Sequence, residues 1–120
     1  MDNCFGGQTN VPALDIFSDR AWITLPPQVA EGRLREHLAD IDTDCHYVLY
    51  DLRYTGRFDD ESRAFFVQWH AQRKAQLTRV AVVVDNAMWR VVVMAMAMQS
   101  GVNMRPFEVL DDAVEWLVPP

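Results

Sequence analysis

The chain is poor in the residues that most often carry chemistry. It has only two cysteines, Cys4 and Cys45, and no Cys-x-x-Cys pair. That excludes a zinc ribbon or a thioredoxin-like motif, and two free thiols in a reducing cytoplasm are expected. Its histidines, His37, His46 and His70, fall on different predicted elements with no His-x3-His spacing, so neither a metal nor a cofactor is expected. Cys45 and His46 are neighbours on a predicted strand. Strand neighbours point to opposite faces, which argues against a nucleophile–base pair and against an enzyme. Basic clusters are missing too. Lys and Arg number 11 against 17 Asp and Glu, a net charge of −6, so no nucleic-acid partner is expected. The longest apolar run, Val91–Met98, is far short of the ~20 residues that span a bilayer. No charged segment leading into an apolar stretch marks a signal peptide, and a cytoplasmic location is expected.

What is present is a core. Half of the 120 residues are hydrophobic, a globular rather than a disordered balance. A chain of this length buries roughly 65% of the surface it exposes when unfolded, enough for one domain without staples. Residues 1–12, with Gly6, Gly7, Asn10 and Pro12 and no periodicity, read as a flexible N-terminal segment. Residues 13–120 read as the single domain.

That domain alternates strands with helices. "LDIFSDRAWITL" contains two short apolar runs around Ser18-Asp19-Arg20, the pattern of a β-hairpin. After Pro26-Pro27, Ala30, Leu34, Leu38 and Ile41 recur at helical spacing, predicting a helix to about Ile41. "HYVLYDL" is a near-continuous run of strand formers, as expected of a central strand covered on both faces. A helix opens near Asp59 with acids in its first turn and Arg73 and Lys74 at its end, matching the helix dipole. "RVAVVV" predicts a second buried strand. "NAMWRVVVMAMAMQ" predicts a helix stopped by Gly101. "MRPFEV" predicts an edge strand because of Pro106, and "DDAVEWL" a last helix capped by Asp111 or a neighbour. The fold class is therefore α/β, in the order β-β-α-β-α-β-α-β-α: a mixed sheet of about five strands with about four helices.

Three stretches resemble a known group: "YVLYDLR" with its acid-opened helix, "RVAVVVDNAMWR" and "RPFEVLDDAVEWL". They are similar to the SpoIIAA-like fold, which holds the STAS domains and the CRAL-TRIO lipid-transfer domains, and most of all to small bacterial STAS-like proteins of unassigned activity. The resemblance covers about residues 13–118. In anti-sigma-factor antagonists of that group, a strand ending Asp-Leu-Ser leads to a serine phosphorylated near a helix start. Here the run is Asp51-Leu52-Arg53, and "FDDESRAF" occupies the helix start. Arg53 is no kinase substrate and three acids would repel a phosphate, so the phospho-switch does not carry over. The resemblance implies a non-enzymatic interaction or regulatory module. The alternative is a carrier of a small apolar or lipid-like ligand, as in the lipid-transfer relatives.

Two places are candidate sites. In open α/β sheets, ligands bind beyond the carboxyl ends of the strands, where Asp51, Arg53, Asp85 and Asn86 should gather. They read either as a polar ligand or partner site, or as architecture, with Asp85 capping the next helix, Asp51 capping its loop and Arg53 solvated. The second place is the Met-rich helix, apolar nearly all round with Arg90 its only charge. At 100° per residue, Met88, Val91, Val92 and Ala95 form one face, expected to dock on the sheet. Arg90, Val93, Met94 and Ala97, with Trp89 beside them, form the expected interface of a homodimer or of a complex with another protein. A core helix overlapped by its neighbours and the wall of an apolar-ligand cavity are the other readings of the same stretch.

Overall fold

A computed structural model describes residues 20–25, 28–29, 31–39, 41 and 45–117. The elements run β1 (Arg20–Thr24), β2 (Gln28–Val29), α1 (Glu31–Leu38), β3 (Tyr47–Asp51), β4 (Arg57–Phe58), α2 (Asp60–Gln72), β5 (Arg79–Val83), α3 (Ala87–Ser100), β6 (Met104–Phe107) and α4 (Leu110–Leu117). Among the described residues four strands form one sheet in the order β1-β3-β5-β6, and every ladder between them is parallel. This is the α/β architecture expected. The first arm of the predicted hairpin, and the antiparallel pairing it implied, lie outside the described residues, as does the segment 1–12. The second arm is β1, which pairs in parallel with β3, Trp22 opposite Leu49. A short parallel pair, β2 with β4, was not foreseen. It ties the chain after β1 to the loop after β3.

Strand alternation sorts the core into two layers. Ala21, Ile23, Val48, Tyr50, Val80, Val82 and Met104 face a large cluster with Leu34 and Leu38 of α1, Phe66 and Trp69 of α2, and Trp89, Val93 and Met96 of α3. Leu49, Ala81 and Val83 face the other way, onto Ala113 and Leu117 of α4. Both central strands, β3 and β5, are thus buried on both faces, which is why their sequences are continuous rather than alternating runs. Trp116 fastens α4: its carbonyl accepts from Arg79, and the guanidinium carbons of Arg79 and Arg105 stand 5.1 Å and 5.3 Å from its ring centre. Among the described residues β6 pairs only with β5, so Pro106 sits on an edge strand where its missing N–H costs no ladder bond.

The helix ends follow from local chemistry. Asp59 is the N-cap of α2, its carboxylate accepting from the Ser62 N–H over 2.7 Å. That bond holds the Asp59 carboxyl below its ordinary pKa. Gly101 ends α3 with φ of +79° and its N–H on the Ala97 carbonyl. A side chain there would be strained, and its Cβ would press to 3.1 Å on the Lys74 stem. Three details differ from expectation. α1 stops at Leu38, and Ile41 is buried beyond it rather than within it. α4 begins at Leu110, so Asp111 lies in its first turn instead of capping it. Cys45 is buried and disulfide-bonded, not a free thiol.

Candidate functional site

The strand ends are built from two self-satisfied pairs. Asp51 closes β3 and is 2% exposed. Its Oδ1 accepts from the Arg53 backbone N–H at 3.1 Å and from Arg53 Nε at 2.9 Å, and its Oδ2 accepts from an Arg53 Nη at 2.7 Å. The bidentate ion pair compensates the burial of the carboxylate, while the backbone bond sets the turn after the strand. The bond to Asp51 in turn holds the Arg53 guanidinium proton more firmly than usual. One strand over, Asn86 caps α3: its Oδ1 accepts from the Trp89 N–H at 2.8 Å, and its Nδ2 donates to Asp85 Oδ1 at 3.0 Å. The cap is therefore Asn86, not Asp85. An N-cap must reach the N–H two or three positions on, and Asp85 lies one residue too early. Arg90 pairs with Glu108 rather than turning to the strand ends. Arg53 is likewise no freely solvated cation.

Two hydroxyls near the strand-end loop are also buried. Thr55 donates to the Leu25 carbonyl over 3.1 Å, and Ser62 is fully covered at the start of α2. Among the described residues no three His, Cys, Asp or Glu side chains converge as metal ligands.

The polar pair that sequence reasoning missed is Tyr50 with His70. Both are completely buried. His70 Nδ1 lies 2.8 Å from the Phe66 carbonyl, and its Nε2 lies 2.8 Å from the Tyr50 hydroxyl. A carbonyl only accepts, so Nδ1 carries the hydrogen and Nε2 accepts from Tyr50. Desolvation is the main cause that pulls the His70 pKa from 6.5 to about 4, and desolvation likewise raises that of Tyr50. Phe66 and Trp69 rings stand 4.2 Å and 4.8 Å from the imidazole. No local signal marks this pair, because its members are twenty residues apart on different elements.

The Met-rich helix presents a different face from the one expected. Trp89, Val93, Met96 and Ser100 are its buried residues. Trp89 and Val93, expected at an interface, therefore belong to the core. Ala97 is partly buried against that core, as is Val92. Arg90 and Met94 are exposed as expected, but so are Met88, Val91 and Ala95, which were expected to dock. The reason is size: a helix apolar all round settles with its largest side chain inward, and the ring of Trp89 packs 5.9 Å from that of Phe58. Trp89 was the signal available in the sequence, since Val93, Met96 and Ser100 follow it at helical spacing. The outer face that results is strongly apolar: Met88 is 67% exposed, Val91 65%, Met94 52% and Met98 85%.

Against known proteins, the sequence profile of the SpoIIAA-like family matches residues 18–118. No curated protein matches the chain. A solved structure that does is that of an uncharacterized protein from the DUF3478 family with a SpoIIAA-like fold, from Shewanella loihica PV-4. It has a TM-score of 0.53 and 17% identity, over 82% of this chain and 80% of that one. That likeness is one of fold. With a parallel sheet whose described strands lie between α1, α2 and α3 on one face and α4 on the other, and a family match over residues 18–118, the chain belongs to the SpoIIAA-like family.

Proposed function

We propose that this chain is a non-enzymatic interaction module of regulatory type that works by docking the outer face of α3 on another protein surface. The observation that carries the reading is the exposure of Met88, Val91, Met94 and Met98 on one side of one helix. Large apolar side chains grouped in water mark contact surfaces, and methionine adapts to a partner at little cost. The state of the strand ends supports the non-enzymatic part. Asp51 is engaged by Arg53, and Asp85 by Asn86. A serine phospho-switch is not part of the proposal, because Arg53 follows Asp51-Leu52 and both nearby hydroxyls, Thr55 and Ser62, are buried.

Methionine footprinting tests the reading. Peroxide oxidises exposed thioethers, so Met88, Met94 and Met98 should react readily in dilute purified protein and slowly inside cells that express it. Equal oxidation in both settings would mean that nothing covers the face, and the reading would fall.

A second reading, a carrier of a small apolar ligand, has one observation behind it. A pocket of about 260 Å³ opens between α2 and α3, lined by Arg63, Val91, Val92, Ala95, Met96 and Gln99. It is smaller than the roughly 300–1,000 Å³ of most ligand sites, so the interaction reading stands first. A long-chain fatty acid retained in native mass spectra, with the outer methionines still fully reactive in cells, would reverse that order.

A further inference from the structure

We infer that Arg79 and Arg105, laid together against the ring of Trp116, bind a phosphate anion, free or as a small monoester, on the α4 face of the sheet. The site stands apart from the docking reading above, because α3 lies on the opposite face. It begins with an imbalance of charge. Asp and Glu outnumber Lys and Arg by 17 to 11, so a guanidinium in this chain readily finds a carboxylate. Arg53, Arg63 and Arg90 do so, on Asp51, Asp60 and Glu108. Among the described residues no carboxylate stands within ion-pair distance of Arg79 or Arg105, although Asp112 and Glu115 lie on the same helix as Trp116.

The register of the sheet brings the two cations together. Arg79 opens β5, two residues before Ala81, and Arg105 of β6 stands opposite Ala81. Ala81 faces α4, and strand alternation sends Arg79 and Arg105 to the same face. Their guanidinium carbons lie 5.1 Å and 5.3 Å from the centre of the Trp116 ring, and that of Arg105 lies 5.9 Å from the centre of Phe107 as well. Arg79 has a structural duty, since its Nη1 donates to the Trp116 carbonyl near the negative end of α4. That duty occupies one nitrogen of a group with five N–H donors. Arg105 has no such duty. It is exposed, and among the described residues it donates to no oxygen, yet two aromatic rings hold it. A guanidinium ordered in this way presents its donors at a smaller entropic cost per hydrogen bond.

Charge and shape name the ligand. Guanidinium forks pair bidentately with the oxygens of a carboxylate or a phosphate. A single carboxylate matches only one of the two charges. A phosphate monoester carries about −1.5 to −2 at pH about 7 and offers three acceptor oxygens, so it matches both. It also offsets the repulsion between two cations that share one ring. Arg105 is exposed and Arg79 half-buried, so a small anion reaches the pair from solvent.

Heteronuclear NMR of the nitrogen-labelled chain reads binding at the Trp116 indole N–H and at the Arg105 Nε–H. Sodium phosphate added at constant ionic strength should shift both signals saturably in the millimolar range, and sodium chloride should not. Arg105→Gln should weaken the binding about ten-fold with an unchanged Tm, as when one charged hydrogen-bonding partner is lost from a site. Arg79→Lys keeps a positive charge at the end of α4 but loses the fork, and should also weaken it. Ethyl phosphate, titrated beside inorganic phosphate, identifies the source. Tighter binding of the ester assigns the site to a small organic phosphate, and equal or weaker binding assigns it to the free ion. Phosphate shifts that chloride reproduces, or no saturable shift at all, overturn the inference. So does an Arg105→Gln chain that binds phosphate as tightly as wild type.

Discussion

The hydroxyl of Tyr50 donates to Nε2 of His70 across 2.8 Å in a part of the core that admits no solvent. The imidazole gives its own hydrogen to the Phe66 carbonyl, so both nitrogens of the neutral ring are satisfied, and it is burial that penalises the charged form. The charged group acting on it is Arg73, which opposes protonation as burial does. As pH falls, the unfolded chain takes up the proton near 6.5 and the folded chain only near 4. The stability from a neutral His70 is therefore fully present above pH 6.5 and is lost progressively between 6.5 and about 4, a span worth on the order of 3 kcal/mol. Urea unfolding of wild type at pH about 7 and about 4.5 should show that loss. The double variant Tyr50→Phe/His70→Phe should show a clearly smaller one. At neutral pH, Tyr50→Phe alone should cost about 1–3 kcal/mol by leaving Nε2 unpaired, and the double variant should recover part of it.

The strand-end residues separate by their partners. Asp51→Ala removes a buried acceptor that holds both the turn and Arg53, and should cost about 1–3 kcal/mol. Asn86→Ala removes the cap of α3 and should cost about 1 kcal/mol. Asp85→Ala, at an exposed position, should stay within about 0.5 kcal/mol of wild type. Denaturant midpoints rank the three, and an Asp85 variant as damaging as the Asn86 variant would contradict the capping geometry.

Gly101 holds a left-handed conformation at the end of α3. Gly101→Ala should destabilise the chain by roughly 1–2 kcal/mol, the ordinary cost of that conformation for an L side chain, with some addition from the Lys74 stem. Differential scanning calorimetry would read it as a lowered Tm. An unchanged Tm would mean that the helix end rearranges.

Cys45 is buried and disulfide-bonded. Denatured without reductant, its peptide should resist alkylation, and it should label fully once a reductant is added. Reductant should also lower the Tm of the folded chain, since a cross-link restricts the unfolded state. Complete labelling without reductant would show that the bond is absent.

Much of the architecture was legible because it depends on nearest neighbours. β3 and β5 were readable as central strands because continuous apolar runs have no solvent face to conceal. Asp59 and Gly101 were readable as helix ends because a cap acts within a few residues of its own position. The acids after the last strand were legible as belonging to a helix start, though not as to which residue stood first, since end bonds shift by a residue at little cost. Pairing between β2 and β4 was not legible, because two-residue strands have no periodicity.

The sequence by itself determined the order of the four helices and of the four strands of the main sheet, the two-sided burial of β3 and β5, and the presence of a helix with no polar stripe. Tertiary structure alone decided which side of that helix faces out, because an all-apolar helix has no phase in its pattern and only the fit of Trp89, Val93 and Met96 against the sheet supplies one. It alone joined Tyr50 to His70 and turned Asp51 onto Arg53. Hydrogen bonds between distant elements depend on where the backbone carries each group, and no local spacing records that.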